Sequence, residues 1–94
     1  MLIRIVRMDF KPDSVNDFLE LFELVKEKIA TFPGCEHLEL CRDAKEGHIY
    51  YTFSKWQSED DLEKYRHSEL FEDTWEKTKV LFGGKPLAYS LLPD

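Results

Sequence analysis

One stretch, Tyr50 to Trp75 (YYTFSKWQSEDDLEKYRHSELFEDTW), limits the possible folds of this chain more than any other. It combines a strand, two helix starts and two indoles. Tyr50, Tyr51, Thr52 and Phe53 give the aromatic and β-branched content of a strand, and Trp56 closes it. Ser58 stands where an N-cap belongs. Glu59, Asp60 and Asp61 then put carboxylates at the positive end of the helix dipole. Ser58 and Asp61 have the spacing of a capping box, and Ser68 before Glu69 repeats the device. Leu62, Tyr65, Phe71 and Trp75 supply one inward face. Trp56 and Trp75 flank a helical segment that must fold back on its own strand. Their rings therefore form either a core or the wall of a pocket.

The rest of the chain places this stretch in a larger pattern. Residues 2–10 read as a strand, with Leu2, Arg4, Val6, Met8 and Phe10 on one face and Ile3, Ile5, Arg7 and Asp9 on the other. Apolar residues on both faces mark a strand covered on both sides. Pro12 stops it, and Asp13 or Ser14 is placed to cap a helix. Val15, Phe18, Leu19, Phe22, Val25, Ile29 and Phe32 recur at helical spacing, widened by Leu21 and Leu24, and predict that helix to run to about Phe32. Pro33-Gly34 ends it. Residues 35–43 and 48–56 form a hairpin around a turn at Ala44–Gly47. A turn centred between Lys45 and Glu46 pairs Leu38 with Phe53 and Leu40 with Tyr51. The opposite face then pairs Cys35 with Trp56, His37 with Ser54, Glu39 with Thr52 and Cys41 with Tyr50. A water-facing hairpin would carry Lys, Glu and Thr there, so this face is expected to be covered or to line a cavity. The last helix is expected to reach about Phe82, with Gly83-Gly84 as its left-handed stop. Residues 86–92 form a fourth strand.

The order is βαββαβ within one domain spanning residues 1–94. Right-handed crossovers turn that order into a four-stranded antiparallel sheet with helices on one face, the ferredoxin-like α+β class. The other face is left bare although its residues are apolar, which predicts a homodimer closed sheet on sheet. A chain this short folds with little margin, so a second copy also adds stability.

The net charge of −6, with Lys and Arg scattered, argues against nucleic acid or an anionic membrane as partner. No apolar run approaches the ~18 residues of a membrane span. The start, MLIRIVRMDF, has charges inside its apolar run and reads as a strand, not a signal peptide. A cytoplasmic protein is the expectation. Cys35 and Cys41, six apart on one strand, would stand ~20 Å apart and cannot pair with each other. The same spread separates Cys35, His37 and Cys41, so no metal site is expected. The chain has no phosphate loop, dinucleotide fingerprint or nucleophile elbow.

Several runs together resemble the antibiotic biosynthesis monooxygenase domain over nearly the whole chain. They are Phe32-Pro33-Gly34-Cys35, Ser54-Lys55-Trp56-Gln57-Ser58, then Leu62, Tyr65-Arg66, Ser68, Phe71 and Trp75, and Lys85-Pro86-Leu87-Ala88-Tyr89-Ser90. The resemblance implies a dimeric α+β barrel of ferredoxin-like units. Some members of that family oxidise polyketide anthrones or quinols without metal or flavin, others degrade haem, and many have no known activity. The haem-degrading branch carries an Asn on strand one, a Trp in the first short helix and a His on the last helix. Here residues 2–10 contain no Asn, and the other two positions fall on Tyr65 and Trp75, which argues against haem degradation. The polyketide-oxidising branch has a Trp at the end of strand three, matched by Trp56, and an Asn four residues earlier, where Thr52 stands.

The resemblance thus implies a cofactor-independent monooxygenase for an aromatic small molecule, a quinol, anthrone or polyketide-like compound. Such chemistry needs a base, a dry apolar pocket and donors for a developing oxyanion. His37, sharing a face with Tyr50, Thr52 and Trp56 in the expected register, is the candidate base, and His67 is a second one. Tyr50, Thr52, Trp56, Tyr65, Phe71 and Trp75 are the candidate substrate-binding residues. Arg4 and Arg66 are cations available to steady an anion, although surface ion pairing is the commoner role for each. The alternative is a binding or structural protein of the same fold that catalyses nothing.

Overall fold

Alternating and helical spacings sort residues 1–94 of the computed structural model into β1 (Leu2–Asp9), a 3₁₀ turn (Pro12–Ser14), α1 (Val15–Ala30), β2 (Cys35–Arg42), β3 (Ile49–Trp56), α2 (Glu59–Arg66), α3 (Glu69–Lys79) and β4 (Leu87–Leu91). The strands lie in the order β2-β3-β1-β4, every neighbouring pair antiparallel. The α1 crossover sets β2 one place away from β1, and β3 fills the gap, which is the split βαβ arrangement. This is the expected ferredoxin-like α+β fold. No helix is long and apolar enough to cross a membrane.

Local chemistry explains where the helices start and stop. Ser58 Oγ accepts the Asp61 N–H at 3.1 Å and donates to Asp61 Oδ2 at 3.0 Å, so the cap of α2 holds from both sides. Ser68 Oγ accepts the Phe71 N–H at 3.1 Å and starts α3. Neither Asp13 nor Ser14 caps α1 through its side chain; the 3₁₀ turn, closed by the Ser14 N–H on Lys11 O, leads into the helix instead. The helix ends at Ala30, two residues before Phe32, where Thr31 Oγ1 and its N–H both donate to Glu27 O. Likewise α3 ends at Lys79, short of Phe82, and Gly83-Gly84 is not its left-handed stop. Both glycine N–H groups donate to Asp9 O, and a Cβ on Gly84 would stand 2.5 Å from Asp9 Oδ2. The close approach to β1 leaves room for a Cβ on Gly84 only if the Asp9 side chain moves aside. The one left-handed residue is Gly34, φ +91°, where the chain turns into β2.

The hairpin departs from the expected register. Cys35 pairs with Trp56 as anticipated, but a bulge then brings His37 opposite Lys55, Leu38 opposite Ser54, Leu40 opposite Thr52 and Cys41 opposite Tyr51. A one-residue slip moves each side chain to the other face. Leu38 and Leu40 therefore join Thr52, Ser54 and Trp56 under the helices, and His37, Glu39 and Cys41 go to the outer face. The loop contributes to the slip. Asp43 Oδ2 accepts the N–H groups of Lys45 and Glu46 at 3.0 and 2.9 Å, and Oδ1 accepts the Tyr51 hydroxyl at 3.2 Å. These bonds, led by the one from Glu46, hold the Asp43 carboxyl below its ordinary range. The turn is thus anchored at Asp43 and not centred between Lys45 and Glu46.

Under the helices the sheet builds two small cores. Met8, Phe10, Phe18 and Tyr50 form one, with the Phe10 and Phe18 rings stacked 4.2 Å apart. Leu2, Trp56 and Leu62 form the other, joined by Phe32, Cys35 and Tyr65. Phe10 and Trp56 are the fully buried large side chains. Truncating a ring so placed typically costs about 3–5 kcal/mol.

Candidate functional site

Between the sheet and the helices lies a solvent-connected cavity of about 320 Å³. Its wall draws Met8 and Phe18 from the first core and Trp56 and Leu62 from the second, so it separates the two. The α1 stripe supplies a further apolar side through Phe22, Val25 and Ile29.

A run of rings crosses the wall. Trp56 and Tyr65 stack with centroids 5.1 Å apart, and Tyr65 meets Phe71 edge-on at 5.3 Å. Phe71 and Trp75 lie nearly parallel, 9° apart in plane and 5.9 Å apart in centroid. The strand–cap–helix–cap–helix sequence produces this run, because each serine cap aims its helix so that the inward residues meet. Trp56 is fixed in orientation as well as place: its Nε1 donates to Ser54 Oγ at 3.0 Å, and that hydroxyl donates to Arg4 O at 3.3 Å.

The polar part of the wall is small. It consists of the hydroxyls of Thr52, Ser54, Tyr65, Thr74 and Thr78 and the guanidinium groups of Arg4 and Arg66. Burial pushes the Tyr65 phenol far above its ordinary ionisation range, and the nearby Cys35 adds to this, so Tyr65 stays neutral. Thr78 Oγ1 is committed to Thr74 O at 2.7 Å. Thr74 Oγ1 is buried with no hydrogen-bond partner in the chain. Arg66 pairs with Glu63 on its own helix at 2.9 Å. Arg4 Nη1 donates to the neutral Ser90 Oγ at 2.8 Å. Burial, together with repulsion from Arg66 and only partly offset by Glu63, holds the Arg4 guanidinium below its ordinary range.

Of the residues singled out in the sequence, Thr52, Trp56, Tyr65, Phe71 and Trp75 meet at this cavity. Tyr50 does not; it packs against the stacked pair Phe10 and Phe18, with centroids 6.3 and 5.9 Å away, and belongs to the first core. The placement of His37 beside Trp56 and Thr52 is corrected by the bulge. Its ring stands on the outer face, edge-on to Phe53 at 6.2 Å, with Nε2 3.0 Å from Glu39 Oε1. His67 is exposed and 3.3 Å from Glu63, away from the cavity. No histidine, aspartate, glutamate or cysteine lines the wall. Cys35 falls on the helix side and Cys41 on the outer side, so the bulge also separates Cys35 from His37 and Cys41, which the expected register put on one face. Sequence reasoning missed Thr74 and the α1 residues of the wall. The signal for α1 was the width of its apolar stripe: Leu21 reaches the cavity, and a core alone would need fewer positions.

The family model for antibiotic biosynthesis monooxygenases matches residues 1–77. No curated protein matches this chain significantly. Among solved structures, one described as an antibiotic biosynthesis monooxygenase superposes with a TM-score of 0.93 at 19% identity, over 100% of this chain and 99% of that one. A conserved protein from Methanosarcina mazei superposes at 0.90 with 18% identity, over 97% and 91% of the two chains. A Mycobacterium tuberculosis protein does so at 0.89 with 20% identity, over 98% and 93%. At such identities these likenesses establish the fold. The family match runs from β1 through most of α3 and includes Arg4, Thr52, Trp56, Tyr65, Phe71 and Trp75, and on that ground the chain belongs to the antibiotic biosynthesis monooxygenase family.

Proposed function

We propose that this protein is a cofactor-independent monooxygenase acting, as a homodimer, on a flat aromatic small molecule of the quinol, anthrone or polyketide type. The observation that carries this reading is the hollow walled by Trp56, Tyr65, Phe71 and Trp75, in a chain whose family is named for monooxygenation. A flat ring system fits such walls through offset stacking and edge contacts.

For an anthrone the overall change takes a ring CH₂ and dioxygen to a carbonyl and water. The substrate first loses a proton, and its anion passes one electron to dioxygen. The resulting radical and superoxide join through a new C–O bond, and protonation gives a hydroperoxide. Loss of water leaves the ketone. The substrate carbon supplies all four electrons that reduce dioxygen, so no metal, flavin or haem enters the balance. The apolar part of the wall keeps water off the faces of a bound ring and holds its plane against the aromatic side chains. Thr52 and the neutral Tyr65 are the hydroxyl donors for charge that develops on the substrate. Because the wall holds no carboxylate or imidazole, the first proton must be acidic in the substrate itself, as it is in phenols and anthrones.

That missing base also favours a second reading, in which the cavity binds an aromatic molecule without transforming it. Oxygen uptake by chelator-treated protein with an anthrone in air separates the two. Monooxygenation is expected to consume one dioxygen per ketone, put one atom of labelled dioxygen into the product and leave no peroxide. Trp fluorescence quenched by the anthrone, with uptake no faster than in buffer, would assign the protein to binding alone.

A further inference from the structure

The two guanidinium groups in the cavity wall are not explained by oxidation of a neutral aromatic. Arg4 projects from the helix side of β1 and is half-buried. It forms none of the chain's ion pairs, and its one side-chain hydrogen bond goes to a neutral hydroxyl. Arg66 stands near enough to repel it, and the charge of Glu63 is already engaged by Arg66 at 2.9 Å and His67 at 3.3 Å. An acidic chain of net charge −6 thus lines this aromatic hollow with Arg4, which has no counter-charge, and Arg66, which is paired with Glu63 outside the wall, and with no acid. A cation withdrawn from water and left without a counter-charge is costly, and an incoming anion would offset that cost. Guanidinium presents its donors in a planar fork, which suits the two oxygens of a carboxylate.

We propose that the ligand of this cavity is an aromatic carboxylic acid, its rings held among Trp56, Phe71 and Trp75 and its carboxylate on Arg4, with Arg66 as the second cation. This rests on the proposed aromatic-binding role of the cavity and narrows it. A fixed carboxylate also gives the site a reason to contain no acid of its own, since an acidic side chain would repel the ligand.

The test uses one ring system with three head groups: 2-naphthoate, its neutral isostere 2-naphthamide, and 2-naphthol, which is neutral at pH 7. Quenching of Trp56 and Trp75 reports binding to the intact protein. Naphthoate is expected to bind at least about tenfold more tightly than naphthamide, as charge-assisted hydrogen bonds do over neutral ones. The preference should shrink as salt is raised, because the cavity is open to solvent. Arg4→Gln should abolish most of the preference by costing naphthoate far more affinity than naphthamide, and Arg66→Gln should reduce it less. Equal affinity of wild-type protein for naphthoate and naphthamide would overturn the proposal, and it needs no variant to fold. So would a preference that survives in Arg4→Gln. Tightest binding by naphthol, rising as pH passes through its ionisation, would give the cations to an ionised hydroxyl and overturn the carboxylate. Binding of naphthamide with no anion preference removes this proposal alone, whereas no quenching by any of the three removes the aromatic-binding role with it.

Discussion

Tyr65 shows how far one side chain depends on its surroundings. Stacked on Trp56 and edge-on to Phe32 and Phe71, it cannot be ionised without bringing charge into an apolar wall. Its phenol is raised above the ordinary value of 10.0 in the folded chain only. Below pH 10 both states keep the proton and pH has no effect through this group. Above it the unfolded chain releases a proton that the folded chain retains, so stability falls as pH rises. Urea unfolding at pH 9 to 11 should therefore show wild-type protein losing more stability than Tyr65→Phe, by at most about 1.4 kcal/mol per pH unit. Parallel declines would mean that water reaches the ring. The residue scale is also where the sequence was least legible. Residue type brought out Trp56, Tyr65, Phe71 and Trp75 as rings of either a core or a pocket wall, and all four stand at the cavity, because large rings at helical spacing have few other places to go. For His37 residue type was no guide: which face it occupies depends on a bulge one residue earlier.

At the scale of elements, the joins matter more than the interiors. The caps of α2 and α3 were legible because serine followed by acids is a local signal, independent of tertiary context. The register of β2 on β3 was not, because a bulge and an Asp-anchored turn shift pairing without changing the alternation pattern. The two helix ends drawn too long, at Phe32 and Phe82, have a related cause. Both residues are apolar and face inward, yet they lie in the loops after their helices, Phe32 against Trp56 and Phe82 against Phe10. Gly34 ties these joins together. It takes a left-handed conformation, its carbonyl accepts the Gln57 N–H at 2.8 Å, and any Cβ there would collide with the Asp61 side chain in the first turn of α2. Gly34→Ala should destabilise the chain by more than ~1 kcal/mol, since strain and collision add. An unchanged denaturation midpoint would show that the start of β2 can move aside.

Across the whole molecule, helices cover one side of the sheet and leave the other open. One row of that outer face runs from Glu39 through Phe53 and Ile5 to Tyr89, crossing all four strands, and Ile3 and Leu91 lie beside it. Tyr89 and Leu91 are about half exposed. A small chain with such a face is expected to pair through it, and the alternation in β1 already carried that message. Tyr89→Glu, on the edge strand where folding should tolerate it, is expected to weaken the dimer at least about tenfold in sedimentation. Wild-type protein sedimenting as a single chain at micromolar concentration would refute the pairing. The overall topology was legible because the βαββαβ order leaves so few ways to connect four strands. The size of the hollow was not, since a sequence names the rings but not the distance between the sheet and its roof. The division of the interior around that hollow has a consequence of its own. The two packing centres are tied together by β1 and β3, which they share, and by the rings of Tyr65, Phe71, Trp75 and Phe82, so a guest in the gap would add contacts to both at once. Plugging the gap by enlarging Val6 or Val25 would make a sturdier protein with no room left for its work.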